Sequence, residues 1–409
     1  MSKVVVLNLT SSGHINPTLP LITELISRGE RVIYYAIEQY RSIIESTGAQ
    51  YQSYSHPEYL VPKAHQGEFF GSMAHFAKAA QVNLPALLKE LKQDPPDYIL
   101  LDSMCIWGNL VQQITKLPAI TFSSIFIMHP TMKVDDILEM VYSPRPKEVV
   151  FKGLQSMYRY FEISQEINQQ YNCKIPGLIE AFSNPQHLNI LFTSRKFHPF
   201  SEMYDAKTYK FVGQSISPRF ETISFPFEQL KSGITIYISL GTIVNDAVEF
   251  YKDCYQAFGN RPEHPYPHQV ILSIGNKVNL ANLGSIPDNF VIMSHVPQLE
   301  VLKKTSVFIT HGGMNSVGEA LWYGVPLVVV PHRGDAFLVA QQVVSNGAGL
   351  SMMPAQVSPD TLHDAVAKIL SSPTFKQKAE ELGQSLRSAG GYVKAADEIM
   401  AYKNKIGLS

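Results

Sequence analysis

Short apolar runs alternate with segments of helical period along most of the chain. In the first half, the runs Val4–Leu9 and Arg31–Ala36 read as strands, with helices expected over about 17–28 and 39–47. Further strands are expected at Tyr98–Leu101 and Ala119–Phe122, with a helical stretch between them. Strands that alternate with helices imply crossover connections and a parallel sheet. From about 128 to 189 the alternation stops, and longer aromatic-rich helical segments take over. Insertions of that kind at a sheet edge either build a binding cleft or cover core. Residues 213–233 read as a linker, with Pro218, Pro226 and few apolar positions in register.

The alternation restarts at Ile234–Gly241 and continues through Gln269–Ile274, Phe290–Met293, Ser306–Thr310 and Leu327–Val330. That is a second doubly wound pattern. The expected architecture is therefore α/β, with two Rossmann-like domains built on parallel sheets. Residues 1–213 form the first domain, 214–232 the linker and 233–388 the second domain. Residues 389–409 hold a last helical pattern, Tyr392–Lys405, able to pack back on either domain. A ligand of two such domains is expected in a crevice facing the C-terminal ends of both sets of strands.

Composition narrows the class. The chain has 409 residues with an apolar fraction of 45%, ordinary for a globular protein. Lys and Arg number 34 against 35 Asp and Glu, which leaves no basic footprint for nucleic acid. No apolar run reaches membrane-spanning length, and the start MSKVVVLNL looks like a strand rather than a signal peptide. Three cysteines, Cys105, Cys173 and Cys254, show no metal-ligand spacing and fit a reducing compartment, so a cytoplasmic location is expected.

The densest chemistry lies in THGGMNSVGEALWYGVP, Thr310–Pro326. His311, Gly312, Gly313, Asn315 and Ser316 cluster on a strand-to-helix turn, where unpaired N–H groups and the helix dipole favour an anion. Ser239-Leu240-Gly241-Thr242 ends another strand of that sheet and offers further donors to the same phosphate. Glu319, one turn into the helix, suits the hydroxyls of a ribose. A bland reading also exists, in which His311 and Asn315 cap the helix and Glu319 is solvated. His295-Val296-Pro297-Gln298 places an imidazole and an amide where a nucleobase could stack and be read, although Pro297 also suits a helix start on structural grounds. Asp335 follows the next strand and suits sugar hydroxyls, or else serves as a helix N-cap.

In the first half, Thr10–Pro17 leaves the first strand and enters a helix. Only one glycine is present, so the G-x-G-x-x-G dinucleotide fingerprint fails. What remains is His14 at the top of the sheet, where a neighbouring helix N-terminus would favour the neutral, basic ring. Alone it reads as a cap residue. Asp102 ends the strand from Tyr98 and points to the same edge, where a carboxylate on Nδ1–H would fix the tautomer and stabilise the imidazolium. Phe69, Phe70, Met73, Phe76, Ile106, Trp107, Phe122 and Phe126 could line an apolar pocket for flat or macrocyclic alcohols, or could equally be core. No D-x-D carboxylate pair is present to hold a divalent ion on a diphosphate, so the chemistry is expected to need no metal and no other cofactor.

The run from His295 to Asp335 resembles the nucleotide-sugar signature of family 1 glycosyltransferases. It follows the order H/W-x-P-Q, then T-H-G-G-x-N-S-x-x-E, then G-V-P and P-x-x-x-D. The resemblance extends over essentially the whole chain, including Gly13-His14-Ile15-Asn16-Pro17, and points to the bacterial macrolide-type members. It implies the GT-B fold, with the acceptor bound in the N-terminal domain and the donor in the C-terminal one. It also implies that Thr242, His311, Asn315 and Ser316 meet a diphosphate, with Gly313 in the same turn. Glu319 would meet the ribose, and Gln298 with the Val296 backbone the base. The family's catalytic pair falls on His14 and Asp102. The implied reaction is an inverting transfer of a hexose, glucose above all, from a UDP-sugar to a small lipophilic acceptor such as a flavonoid, phenol or macrolide.

Two positions depart from the family. Plant members carry Trp at the His295 position, and the Asp335 position is usually followed by Gln where this chain has Ala336. Two other readings stay open: an epimerase or hydrolase of nucleotide sugars on the same fold, and a non-catalytic nucleotide-binding auxiliary protein.

Overall fold

The computed structural model describes residues 2–60, 69–129, 131, 147–177, 180–218, 223–242, 245–259, 268–332 and 334–408. The chain divides into two compact units, Met1–Ser217 with Ser388–Ser409, and Pro218–Arg387.

The first unit is built on seven parallel strands: β1 (Lys3–Leu7), β2 (Arg31–Ala36), β3 (Gln50–Ser53), β4 (Tyr98–Asp102), β5 (Ala119–Ser123), β6 (Leu188–Leu191) and β7 (Tyr209–Phe211). Their order in the sheet is β3-β2-β1-β4-β5-β6-β7. Every residue of β4, β5 and β6 is buried, because helices cover both faces. Strands in that position need apolar side chains at consecutive rather than alternate positions, which is how VVVL, YILL and AITF read.

The second unit has six parallel strands: β8 (Ile234–Ser239), β9 (His268–Ser273), β10 (Phe290–Met293), β11 (Val307–Thr310), β12 (Leu327–Val329) and β13 (Gly349–Ser351). Their order is β10-β9-β8-β11-β12-β13. Both sheets reverse the direction of strand addition once, between β1 and β4 and between β8 and β11. Open parallel sheets bind ligands beyond the strand ends at such reversals. His14 follows β1 and Asp102 ends β4, while Thr242 follows β8 and His311–Ser316 follow β11.

The sequence pattern misses β3, β6, β7 and β13. All four are edge or next-to-edge strands of three or four residues. QYQS, YKF and GLS are too short and too exposed to carry a pattern of their own.

The last helix, Gly391–Lys405, packs on the helix Leu19–Ser27 and on β6 of the first unit. Ala395, Ala396 and Ile399 are buried in that unit's core. The buried Lys403 ammonium bonds the equally buried Glu30, which also accepts from the Tyr98 hydroxyl at 2.8 Å. Arg28–Asp397 at 2.7 Å and Lys210–Glu398 at 3.2 Å lie nearer the surface and add little.

Candidate active site

His14 and Asp102 leave adjacent strands at one level, since Leu7 of β1 pairs with Leu101 of β4. Asp102 is the last residue of β4 and fully buried. Its Oδ2 lies 2.7 Å from His14 Nδ1, and its Oδ1 accepts from the Met104 backbone N–H at 2.8 Å. An ionised carboxylate only accepts, so this pairing puts the imidazole proton on Nδ1 and leaves Nε2 as the basic nitrogen. The His14 side chain is 13% exposed and that of Asp102 0%, so the ring bridges the buried carboxylate and the surface. The helix carrying His14, Ser12–Ile15, is a single turn. A single turn is too short for a developed dipole, and the group that holds the ring is Asp102.

Beneath this turn, Asn8 Nδ2 donates to the His14 carbonyl at 3.1 Å and to the Tyr34 hydroxyl at 2.5 Å. Thr18 Oγ1 donates to the Ile15 carbonyl at 2.7 Å. Asn184 Nδ2 donates to the Cys105 carbonyl at 3.2 Å, bracing the loop after Asp102. These supports escaped sequence reasoning, because single Asn, Thr and Tyr residues in apolar surroundings carry no pattern. The one available signal was that a buried polar side chain needs a partner.

In the second unit, Ser239, Ser273 and Met293 stand at one level across β8, β9 and β10, and Thr310 pairs with both Ser239 and Val329. The turns bearing Thr242, His295–Gln298, His311–Ser316 and Asp335 therefore leave one edge of one sheet. The helix Met314–Trp322 starts on Gly313, in extended conformation, which has no side chain to satisfy the first-turn N–H groups. His311 and Asn315 are thus not its N-cap. Gly241 (φ 75°) and Gly312 (φ 86°) take left-handed conformations, and a Cβ on Gly241 would lie 2.5 Å from His311 Cε1. One on Gly313 would lie 2.7 Å from His311 Nε2, so the imidazole is fitted between two bare backbones. Thr242 is exposed at the end of the Gly241 turn.

Glu319 is only 3% exposed, so it is not a solvated surface carboxylate. Gln298 Nε2 donates to its Oε2 at 2.7 Å and lies 3.4 Å from Ser316 Oγ, while Gln298 Oε1 accepts from the Tyr237 hydroxyl at 3.0 Å. His295 is exposed and Val296 buried. Asp335 is exposed at the N-cap position of the helix Ala336–Ser345, yet its carboxylate makes no capping bond. Ala336 is buried, with its carbonyl oxygen 3.1 Å from where a Cβ on Gly312 would sit. The glycine turn and that helix are in close contact there.

Most of the apolar residues that could line an acceptor pocket or be core are buried. Met73, Ile106, Trp107 and Phe122 are at most 1% exposed and lie inside the first unit's core, and Phe76 packs against it. Phe126 is buried against Phe197 and His198. Their size and apolarity are accounted for by the core. Phe69 and Phe70 open the helix Phe69–Gln93, and their side chains lie outside the described residues. Among the described residues no three His, Cys, Asp or Glu side chains converge as a metal site, and no helix is long and apolar enough to cross a membrane.

Residues 266–395 match the family described as erythromycin biosynthesis protein CIII-like, C-terminal domain. Over 99% of its length the chain is 32% identical to the Bacillus subtilis (strain 168) protein named uncharacterized UDP-glucosyltransferase YojK, covering 98% of that relative. It is 26% identical to the oleandomycin glycosyltransferase of Streptomyces antibioticus, over 98% of this chain and 90% of that one. Among solved structures it is similar to the kitacinnamycin glycosyltransferase, with TM-score 0.81, 27% identity and coverage of 97% and 98% of the two chains.

Proposed function

The chain belongs to the UDP-dependent family 1 glycosyltransferases of the bacterial macrolide type, and from that premise we propose that it is an inverting O-glycosyltransferase. It moves a hexose, glucose in the first instance, from a UDP-sugar to a hydroxyl of a small lipophilic natural product such as a phenol, flavonoid or macrolide. The carrying observation is the His14–Asp102 pair at 2.7 Å.

His14 Nε2 takes the proton of the acceptor hydroxyl. The oxygen attacks the anomeric carbon, the bond from that carbon to the diphosphate oxygen breaks, and UDP departs with the bonding pair. Asp102 holds the ring in the required tautomer and stabilises the imidazolium. General-base assistance of this kind contributes about 10²–10⁴-fold.

The diphosphate is met by the uncapped helix N-terminus at Gly313, by His311, Asn315 and Ser316, and by Thr242. An anion there is favoured by the N–H groups and the dipole, so the charge on the leaving group is balanced without a divalent ion. Glu319 accepts from the ribose hydroxyls, and Asp335 from those of the sugar. The UDP-glucosyltransferase name of the Bacillus subtilis relative supports glucose, and the oleandomycin glycosyltransferase supports natural-product acceptors.

The test is proton NMR of the product made from α-linked UDP-glucose in the presence of EDTA. A β-glucoside formed at an undiminished rate supports the reading. An α-glucoside would exclude single displacement at the anomeric carbon, and EDTA inactivation reversed by Mn²⁺ would exclude the metal-free assignment.

A further inference from the structure

We propose that Tyr237 is a positioning residue of the donor site, setting the amide of Gln298 and through it the carboxylate of Glu319. The inference rests on the donor-site reading above, and deepens it.

Tyr237 lies in the middle of β8, the one aromatic residue in the run ITIYIS, and is 1% exposed. Its neighbours Ile236 and Ile238 point into the core of the second unit. Tyr237 points to the opposite face, where its ring stacks on that of its register partner Phe308, with centroids 4.5 Å apart and planes at 8°. Two stacked rings in a rigid strand pair fix where the phenol oxygen sits. That oxygen is 3.0 Å from Gln298 Oε1, at the first residue of the helix Gln298–Leu302.

The direction of each bond follows from what the groups can do. A carboxylate accepts and does not donate, so the Gln298 atom 2.7 Å from Glu319 Oε2 must be the amide nitrogen. The carbonyl oxygen then faces Tyr237, whose hydroxyl must donate. If Tyr237 could not donate, the amide would lose the contact that holds its carbonyl side and would be held by Glu319 and Ser316 at its nitrogen alone. The same orientation lets Ser316 Oγ, 3.4 Å from Gln298 Nε2, accept from the amide and turn its own proton outward. One buried hydroxyl thus orients both the group proposed for the ribose and one proposed for the diphosphate. None of this needs Tyr237 to touch the nucleotide.

A residue acting through Gln298 predicts a thermodynamic coupling that a merely structural residue does not. The experiment is calorimetric titration of UDP into the full-length protein, Tyr237→Phe, Gln298→Ala and the double variant, with melting temperatures measured alongside. Phenylalanine keeps the ring stack, so folding is expected to be preserved. Tyr237→Phe is expected to weaken UDP binding about five- to tenfold, as loss of a buried hydrogen bond does. In the Gln298→Ala background the same change is expected to have no further effect, because residues in one network are not additive. The loss is also expected to shrink for 2′-deoxy-UDP if it passes through Glu319.

Additive losses in the double variant, or unchanged UDP affinity in Tyr237→Phe, would overturn the assignment. Failure of the unsubstituted protein to bind either UDP or TDP would overturn the donor-site reading itself, and the assignment with it. The unsubstituted protein therefore separates the two failures.

Discussion

Replacing Asp102 with asparagine is nearly isosteric, yet the proposed mechanism predicts that it removes the base. Asp102 has two fixed neighbours. Its Oδ1 accepts from the Met104 backbone N–H at 2.8 Å, and its Oδ2 faces His14 Nδ1 at 2.7 Å. Asparagine offers one acceptor and one donor group where the carboxylate offered two acceptors. The Met104 N–H is a donor on a rigid backbone, so the amide oxygen is drawn to that side and the NH₂ group faces His14. The imidazole must then accept at Nδ1, which moves its proton to Nε2 and leaves no basic nitrogen for the acceptor hydroxyl.

The expected loss is the full general-base contribution, about 10²–10⁴-fold in kcat, or about 3–5 kcal/mol of transition-state stabilisation. The site is fully buried at Asp102 and the volume is conserved, so UDP-sugar KM is expected to stay within about twofold. The assay is steady-state UDP release with a phenolic acceptor, run beside His14→Ala. The double variant is expected to be no worse than His14→Ala, because the two residues act as one unit. A kcat loss below about tenfold, or a loss expressed mainly as donor KM, would refute the tautomer argument.

Other consequences can be checked independently. Gly241→Ala forces an L side chain to φ 75° and into His311, whose Cε1 lies 2.5 Å from the added carbon. With about 1–2 kcal/mol of backbone strain relieved by shifting the turn, UDP affinity is expected to fall about tenfold with acceptor KM unchanged; unchanged calorimetric affinity would argue against a diphosphate there. His198, ringed by Phe126, Tyr204 and Phe211, has its pKa pushed down to about 3 by burial. An ordinary histidine in the unfolded chain binds its proton below about 6.5, so this residue lowers stability as pH falls from there toward 3, by at most about 1.4 kcal/mol per pH unit. Chemical denaturation at pH 7 and pH 5 is expected to show a smaller acid loss for His198→Phe than for the unsubstituted chain, and equal losses would contradict the assignment. Lys403→Met leaves the buried Glu30 without its cation. It is expected to cost about 3–5 kcal/mol by urea unfolding, with Glu30→Gln recovering part, whereas a cost under about 1 kcal/mol would refute the pairing as a stabiliser of the docked C-terminal helix.

Most of the architecture was legible because parallel strands covered on both faces must be written as continuous apolar runs. β1, β2, β4, β5 and β8–β12 all announce themselves in that way. The short edge strands do not, since GLS and QYQS take their conformation from the neighbour they pair with. The residues proposed for the donor were legible as a cluster because strand-to-helix turns need glycine and small polar groups at fixed offsets. The supports beneath them were not. Tyr237 looks like another core aromatic in ITIYIS, and only its contact with Gln298, 61 residues away in sequence, reveals its hydrogen bond. For the apolar residues the sequence left pocket and core both open. Aromatic content cannot distinguish a pocket wall from a core, and Trp107 at 0% exposure is core.

The most direct test of the account is mass spectrometry of the purified protein incubated with UDP-glucose, EDTA and a mixed panel of phenols, flavonoids and macrolides, with His14→Ala in parallel. The account predicts an acceptor that gains one hexose, and the disappearance of that product in the variant. Bound UDP without any acceptor gaining mass, across UDP- and TDP-sugars alike, would contradict it and leave a nucleotide-binding protein with no transferase activity.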